Sequence, residues 1–291
     1  AEIPVAKHLA DYITRRQGHM VVPAVKADAY DWLHPSRRKT VAVENIGGDC
    51  LPIVITSKEG EKADYVYVGD KKPKADGRRY IVDYNVYDGT ANTFPIFPAQ
   101  AMPFISAIKA PLKFLVLQFG TPAEEYLACL RLHPEVCVSN HQNKLACQRA
   151  LVNEMMHAGV TNPVVFAQMY SLDDKETFQL DAAADMGALM MDGLTDGLWL
   201  MNNGTIADAD IEDTAFAILQ AARLRSTRTE YISCPGCGRT LYNLQQTIAR
   251  IKQATSHLKG LKIGIMGCIV NGPGEMADAD YGYVGAGPGK V

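Results

Sequence analysis

Cys234 and Cys237 flank Pro235-Gly236, a turn short enough to aim two thiolates at one centre. Cys268 follows 31 residues after Cys237, at the end of the next strand expected in the region. A strand–helix–strand excursion returns its two strand ends to one edge of a parallel sheet, so the three sulfurs can converge. Thiolates are soft donors that select zinc or an iron–sulfur cluster. Gly236, Gly238 and Gly267 leave the backbone bare around them, which lets N–H groups approach cluster sulfurs. Three cysteines leave one ligand position open. His257 would complete a Cys3His zinc site, but it sits at the far end of the intervening helix from Cys237, roughly 25 Å away at 1.5 Å rise per residue. Glu275 comes seven residues after Cys268, past the turn Asn271-Gly272-Pro273-Gly274. A hard carboxylate is an odd partner for zinc beside thiolates, yet a reasonable exchangeable ligand on one iron. Geometry favours Glu275. Zinc and a thioredoxin-like redox pair stay open as alternatives at this point, although the latter motif usually opens a helix near the start of its fold and here comes late.

The elements that must position these residues form a segment of their own. Nine of the 24 glycines lie between Gly260 and Gly289, which marks a change of character from residue 226 onward. The pattern predicts a strand at Glu230–Ser233, a helix from about Thr240 to Ser256, a strand at Lys262–Met266 and a strand near Tyr281–Val284. A domain spanning 226–291 is too small for its core alone to be comfortably stable, and a bound metal would supply the missing support.

Upstream, residues 21–225 read as a barrel-like α/β domain, with residues 1–20 as the end of a preceding barrel or a linker. Strand candidates are Thr40–Glu44, Leu51–Thr56, Asp64–Val68, Arg79–Asp83, Phe114–Phe119, Pro163–Gln168, Gly187–Met191 and Gly197–Met201. Helix candidates are Pro4–Arg16, Asn143–His157, Lys175–Asp185 and Asp208–Leu224. Strand followed by helix, repeated, predicts a parallel sheet or barrel. Residues 57–91 are dense in strand and turn signals, so an antiparallel meander or insertion is expected there. Cys50, Cys129, Cys137 and Cys147 read as ordinary buried thiols. No His or Cys of this region falls into ligand or triad spacing, so no catalytic constellation is expected in it.

Charge and composition exclude several classes. The chain has 291 residues, 29 Lys and Arg against 32 Asp and Glu, and a net charge of −3. A nucleic-acid-coating protein would be basic. The most apolar run, 261–270, is too short to span a membrane. Ala1-Glu2-Ile3-Pro4 shows no secretory leader, and an odd count of seven cysteines suits a reducing compartment. Without a starting Met, the sequence is expected to begin part-way into a longer chain.

Several stretches are specific enough to identify a family. They are residues 229–241 (TEYISCPGCGRTL), 255–258 (TSHL), 265–280 (IMGCIVNGPGEMADAD) and 282–285 (GYVG), with 190–197 (MMDGLTDG) and 213–216 (DTAF) upstream. Together they closely resemble the C-terminal part of the 4-hydroxy-3-methylbut-2-enyl diphosphate synthases in their three-domain form. The resemblance implies a TIM-type, non-catalytic insert domain followed by a domain carrying a 4Fe–4S cluster on Cys234, Cys237, Cys268 and Glu275. It implies reductive opening and dehydration of 2-C-methyl-D-erythritol 2,4-cyclodiphosphate to 4-hydroxy-3-methylbut-2-enyl diphosphate in isoprenoid biosynthesis. A ferredoxin or flavodoxin would supply electrons singly, and Glu275 would protonate the departing hydroxyl, with Asn271 as a further catalytic or substrate contact. The main substrate-binding barrel of the family would precede residue 1 and a further strand and helix would follow Val291, so this piece alone is expected to be inactive. The location implied is the cytoplasm of a bacterium or the plastid stroma of a plant. A non-catalytic scaffold or a zinc-stabilised binding module is the alternative.

Overall fold

The computed structural model describes residues 2–17, 25–57, 60–118, 120–141, 145–287 and 290–291. They form two compact units, Ala1–Arg225 and Ser226–Val291.

The first unit is a closed barrel of eight parallel strands in sequence order. These are β1 (Ile53–Thr56), β2 (Tyr65–Gly69), β3 (Tyr80–Asp83), β4 (Thr93–Pro98), β5 (Lys113–Leu117), β6 (Val136–Asn140), β7 (Val164–Tyr170) and β8 (Gly197–Asn202). Closure comes from β8 against β1, with Ile53, Val54 and Ile55 opposite Gly197, Leu198 and Trp199. The two-residue period of the strands sorts their side chains. Ile53, Ile55, Tyr65, Ile81, Phe94, Phe114, Cys137, Val165 and Trp199 fill the interior. Val54, Leu115, Val138, Phe166 and Leu198 face outward into a second core. The helices α2 (Ala123–Leu132), α3 (Leu145–His157), α4 (Lys175–Met191) and α5 (Asp208–Ala221) follow β5 to β8 in turn. The helix α1 (Glu2–Gln17) lies against α4, where His8 Nε2 meets Asp181 Oδ1 at 2.7 Å and the Tyr12 hydroxyl donates to Asp185 at 2.9 Å.

Four sequence expectations need correction. Among the described residues of 57–91 there is no antiparallel meander, because β1 to β4 all pair in parallel. Loops take the place of helices there. In the first of them the buried Glu212 carboxylate of α5 accepts the backbone N–H groups of Glu61, Lys62 and Ala63, satisfying donors that a crossover helix would have paired internally. Gly187–Met191 is not a strand but the last turns of α4. Phe178, Ala182, Met186, Leu189 and Met190 recur at helical spacing and are all buried, and that period outweighs the local apolar run. Thr40–Glu44 is not a strand either. It leads into a tight turn bridged between Val43 and Ile46, whose apolar side chains plug the N-terminal end of the barrel interior. The strands β4 and β6 and the helix α2 have no counterpart among the expected elements. In β4, Pro95 and Pro98 remove two ladder donors and mask an otherwise apolar run.

The second unit is a three-stranded parallel sheet in the order β11-β10-β9, with β9 at Glu230–Ser233, β10 at Lys262–Met266 and β11 at Tyr281–Val284. The helix α6 (Leu244–Thr255) crosses over from β9 to β10, and the single-turn α7 (Gly272–Glu275) connects β10 to β11. The α6 helix starts later than its expected Thr240, because the Asn243 side chain caps it by accepting the Gln246 N–H. Its core is small, with Leu244, Ile263 and Ile265 buried and Tyr231, Tyr242, Ile248 and Tyr283 packed around them. Among the described residues no helix is long and apolar enough to cross a membrane.

Candidate metal centre

Parallel pairing of β9 with β10 places Ser233 opposite Ile265, so both strands end at one edge of the sheet. Cys234 leaves β9 at that edge and Cys268 leaves β10 beside it. Gly236, at φ +84°, turns the chain between Pro235 and Cys237, a backbone state that glycine adopts without steric cost. The C-terminal side is built from two linked turns. Gly272 N–H donates to Cys268 C=O at 3.2 Å and Glu275 N–H donates to Asn271 C=O at 3.0 Å. Glu275 is thus carried back toward the cysteines it follows in sequence.

The result is one cavity of about 150 Å³, lined by Cys234, Cys237, Arg239, Cys268, Asn271 and Glu275 among others. No three His, Cys, Asp or Glu side chains among the described residues are drawn together as ligands of a single ion. Cys234 and Cys268 are half-buried, while Cys237, Asn271 and Glu275 are exposed.

Backbone and cationic donors already address the sulfurs. Gly267 N–H donates to Cys234 Sγ at 3.2 Å. The Cys237 thiol is held below the usual thiol range by the Arg239 backbone N–H, then by the Arg239 guanidinium and the Cys268 thiol. Thiolate is the ligating form, so these contacts favour metal binding. Close packing holds the two cysteine loops together. Thr240 Oγ1 accepts the Cys237 N–H at 3.2 Å, and a Cβ at Gly267 would lie only 2.2 Å from that oxygen. Tyr242 OH donates to Met266 C=O at 2.8 Å.

Cys234, Cys237, Cys268, Asn271 and Glu275 therefore share one cavity. His257 is exposed just beyond the C-terminal end of α6 and is not part of its lining. Sequence reasoning assigned no role to Arg239 or Thr240. The signal for Arg239 was present, since a cation two residues from a thiolate in a glycine-rich turn stabilises charge. Elsewhere, Cys137 and Cys147 are buried and Cys50 and Cys129 half-buried, and no disulfide is formed among the described residues.

A barrel followed by a small α/β unit with three cysteines and a glutamate around one cavity defines the class, an α/β protein with a thiol-lined cavity in its smaller unit. Residues 230–291 match the GcpE protein C-terminal domain family. Over its whole length the chain is 54% identical to a protein of Bacteroides thetaiotaomicron and 43% identical to one of Porphyromonas gingivalis, each named 4-hydroxy-3-methylbut-2-en-1-yl diphosphate synthase (flavodoxin). It covers 50% and 47% of those proteins. A protein of Oryza sativa subsp. japonica, named as the ferredoxin-dependent, chloroplastic synthase, is 49% identical over 49% of this chain and 19% of its own length. The chain is a relative of the 4-hydroxy-3-methylbut-2-en-1-yl diphosphate synthases and matches their C-terminal half. It spans about half the length of the curated relatives it matches.

Proposed function

We propose that Cys234, Cys237, Cys268 and Glu275 hold a 4Fe–4S cluster. We further propose that the whole protein reductively opens and dehydrates 2-C-methyl-D-erythritol 2,4-cyclodiphosphate to 4-hydroxy-3-methylbut-2-enyl diphosphate, with a flavodoxin or ferredoxin as electron donor. The observation that carries this reading is the single cavity shared by these four side chains, in a chain that matches half of the synthases so named.

When bound, the cluster supplies single electrons and an iron whose carboxylate ligand can be exchanged. The chain's own residues do the rest. The three thiolates anchor the group, with Gly267 N–H and Arg239 offsetting their charge. Glu275, exposed on a one-turn helix, has the freedom to leave the cavity wall and hand a proton to the departing hydroxyl. The Asn271 amide, on the same wall, offers both a donor and an acceptor to substrate oxygens. Cysteines outside any disulfide and this redox chemistry suit a reducing compartment, the bacterial cytoplasm or, for a plant protein, the plastid stroma.

Glu275 provides the test. In the full-length enzyme, assayed anaerobically with a chemical reductant, Glu275→Ala should keep iron and lower turnover by about 10²–10⁴-fold, the usual contribution of a general acid. Glu275→Cys should keep the cluster and lose turnover, because a fourth thiolate closes the site. Near-normal turnover of Glu275→Cys with intact cluster would show that Glu275 has no role beyond ligation.

A further inference from the structure

The barrel of residues 1–225 is closed at its N-terminal end by Val43 and Ile46 and filled below by Tyr65, Phe94 and Phe114. Its C-terminal mouth is not filled. A cavity of about 300 Å³ opens there, lined by residues from the ends of β2, β3, β4, β5, β6 and β8. That volume lies at the lower bound of the roughly 300–1,000 Å³ typical of small-molecule sites. The C-terminal face is also where barrels of this kind place their ligands.

The chemistry of the lining is selective. Aromatic rings form its wall. Tyr67 and His141 each make a T-shaped contact with Trp199, with ring centroids 5.2 and 5.1 Å away. The Trp199 indole N–H is already spent on Ser57 Oγ at 2.7 Å, so the ring offers no donor to a ligand. Asp83 is the one charged side chain among the described lining residues. Tyr67 OH donates to its Oδ1 at 2.9 Å, and its Oδ2 accepts no hydrogen bond among the described residues. No lysine or arginine lines the cavity among those residues. His141 is paired with Ser139 Oγ at 2.9 Å, and burial pushes its pKa down to about 4, so it is neutral at neutral pH. The site therefore offers a carboxylate among aromatic side chains and, among the described residues, no cation to balance an anion. That is the recognition chemistry of an ammonium group.

We propose that the C-terminal mouth of this barrel binds a small organic cation, an ammonium carried on an apolar or aromatic body, held between the Asp83 carboxylate and the rings of Tyr67, Tyr84 and Trp199. The apolar body sits against Ile96, Val116 and Met201 at the same mouth. The site shares no lining residue with the thiol cavity of the second unit.

The test uses the 291-residue chain with Trp32→Phe, so that Trp199 alone reports by fluorescence, together with calorimetric titration of the unaltered chain. The probes are benzyltrimethylammonium, benzyl alcohol and benzoate. Saturable binding is expected for the ammonium, about tenfold or more tighter than for the alcohol, as cation–π and carboxylate contacts together provide, with no binding of benzoate. Asp83→Asn should reduce the ammonium's affinity to that of the alcohol, and Tyr84→Ala should weaken it severalfold. The proposal is overturned if the natively folded chain shows no saturable binding of the ammonium up to millimolar concentration. Equal affinity for the three probes, or an ammonium affinity that Asp83→Asn leaves unchanged in a folded variant, overturns it equally.

Discussion

Gly267→Ala places a methyl group where the two cysteine loops meet. Its Cβ would stand 2.2 Å from Thr240 Oγ1 and 3.1 Å from both Cβ and Cγ2 of the same residue. Thr240 is β-branched and stiff about χ1, so it relieves the overlap only by moving its hydroxyl away from the Cys237 N–H that it accepts at 3.2 Å. Overpacking of this kind costs about 1–3 kcal/mol, and the lost hydrogen bond adds about 1 kcal/mol. The total of about 2–4 kcal/mol corresponds to a roughly 30- to 900-fold rise in amide exchange for the β10 core of this unit. Hydrogen exchange read by mass spectrometry on peptides covering Lys262–Met266 measures it in the intact chain, while peptides from the barrel serve as the internal control. Thr240→Ala removes Oγ1 and Cγ2, so the Gly267→Ala penalty should shrink in that background, a coupling the double-mutant cycle reads directly. Less than about a threefold change in exchange, or a penalty untouched by Thr240→Ala, would refute the packing argument.

Other expectations follow from the barrel and the thiols. Asp196 is buried and accepts from Arg37, Thr40 Oγ1 and Val164 N–H at 3.1, 3.1 and 3.0 Å. Asp196→Ala should cost the barrel about 1–3 kcal/mol, because the buried Val164 N–H is left without its acceptor, and denaturant unfolding followed by Trp199 fluorescence checks it. His141 has a folded-state pKa of about 4 against an ordinary value of 6.5, so the unfolded chain binds the extra proton first. Barrel stability should fall by about 3 kcal/mol as pH drops from about 6.5 to about 4, and His141→Gln should flatten that slope. Replacing Cys50, Cys129, Cys137 or Cys147 by Ser should leave iron content unchanged in an anaerobically reconstituted sample, whatever it does to stability.

The thiol site was legible because its information is local. A two-residue spacer between Cys234 and Cys237 leaves little freedom, and one parallel crossover fixes where Cys268 must emerge. The alternation of barrel strands and helices was legible in part from β5 onward, where β5, α3, β7, α4, β8 and α5 overlap expected elements while α2 and β6 do not. It failed where tertiary contacts replace local pattern. Nothing in the sequence near Gly60 announces that Glu212, some 150 residues later, will cap its loop. Gly187–Met191 misled because a five-residue apolar run fits strand and helix equally, and only the period from Phe178 onward separates them. The cavity at the barrel mouth was invisible for another reason. Tyr67, Asp83, His141 and Trp199 come from four strand ends, and no sequence window contains two of them.

The central claim is that Cys234, Cys237, Cys268 and Glu275 hold a 4Fe–4S cluster, and metal analysis reaches it most directly. The 291-residue chain, reconstituted anaerobically with iron and sulfide and freed of unbound metal, should contain about four iron and four sulfide per chain. It should show the broad visible absorbance of such a cluster, and Cys234→Ser, Cys237→Ser and Cys268→Ser should each lose it. Stoichiometric zinc without sulfide, or iron and sulfide undiminished in those three variants, would contradict the account.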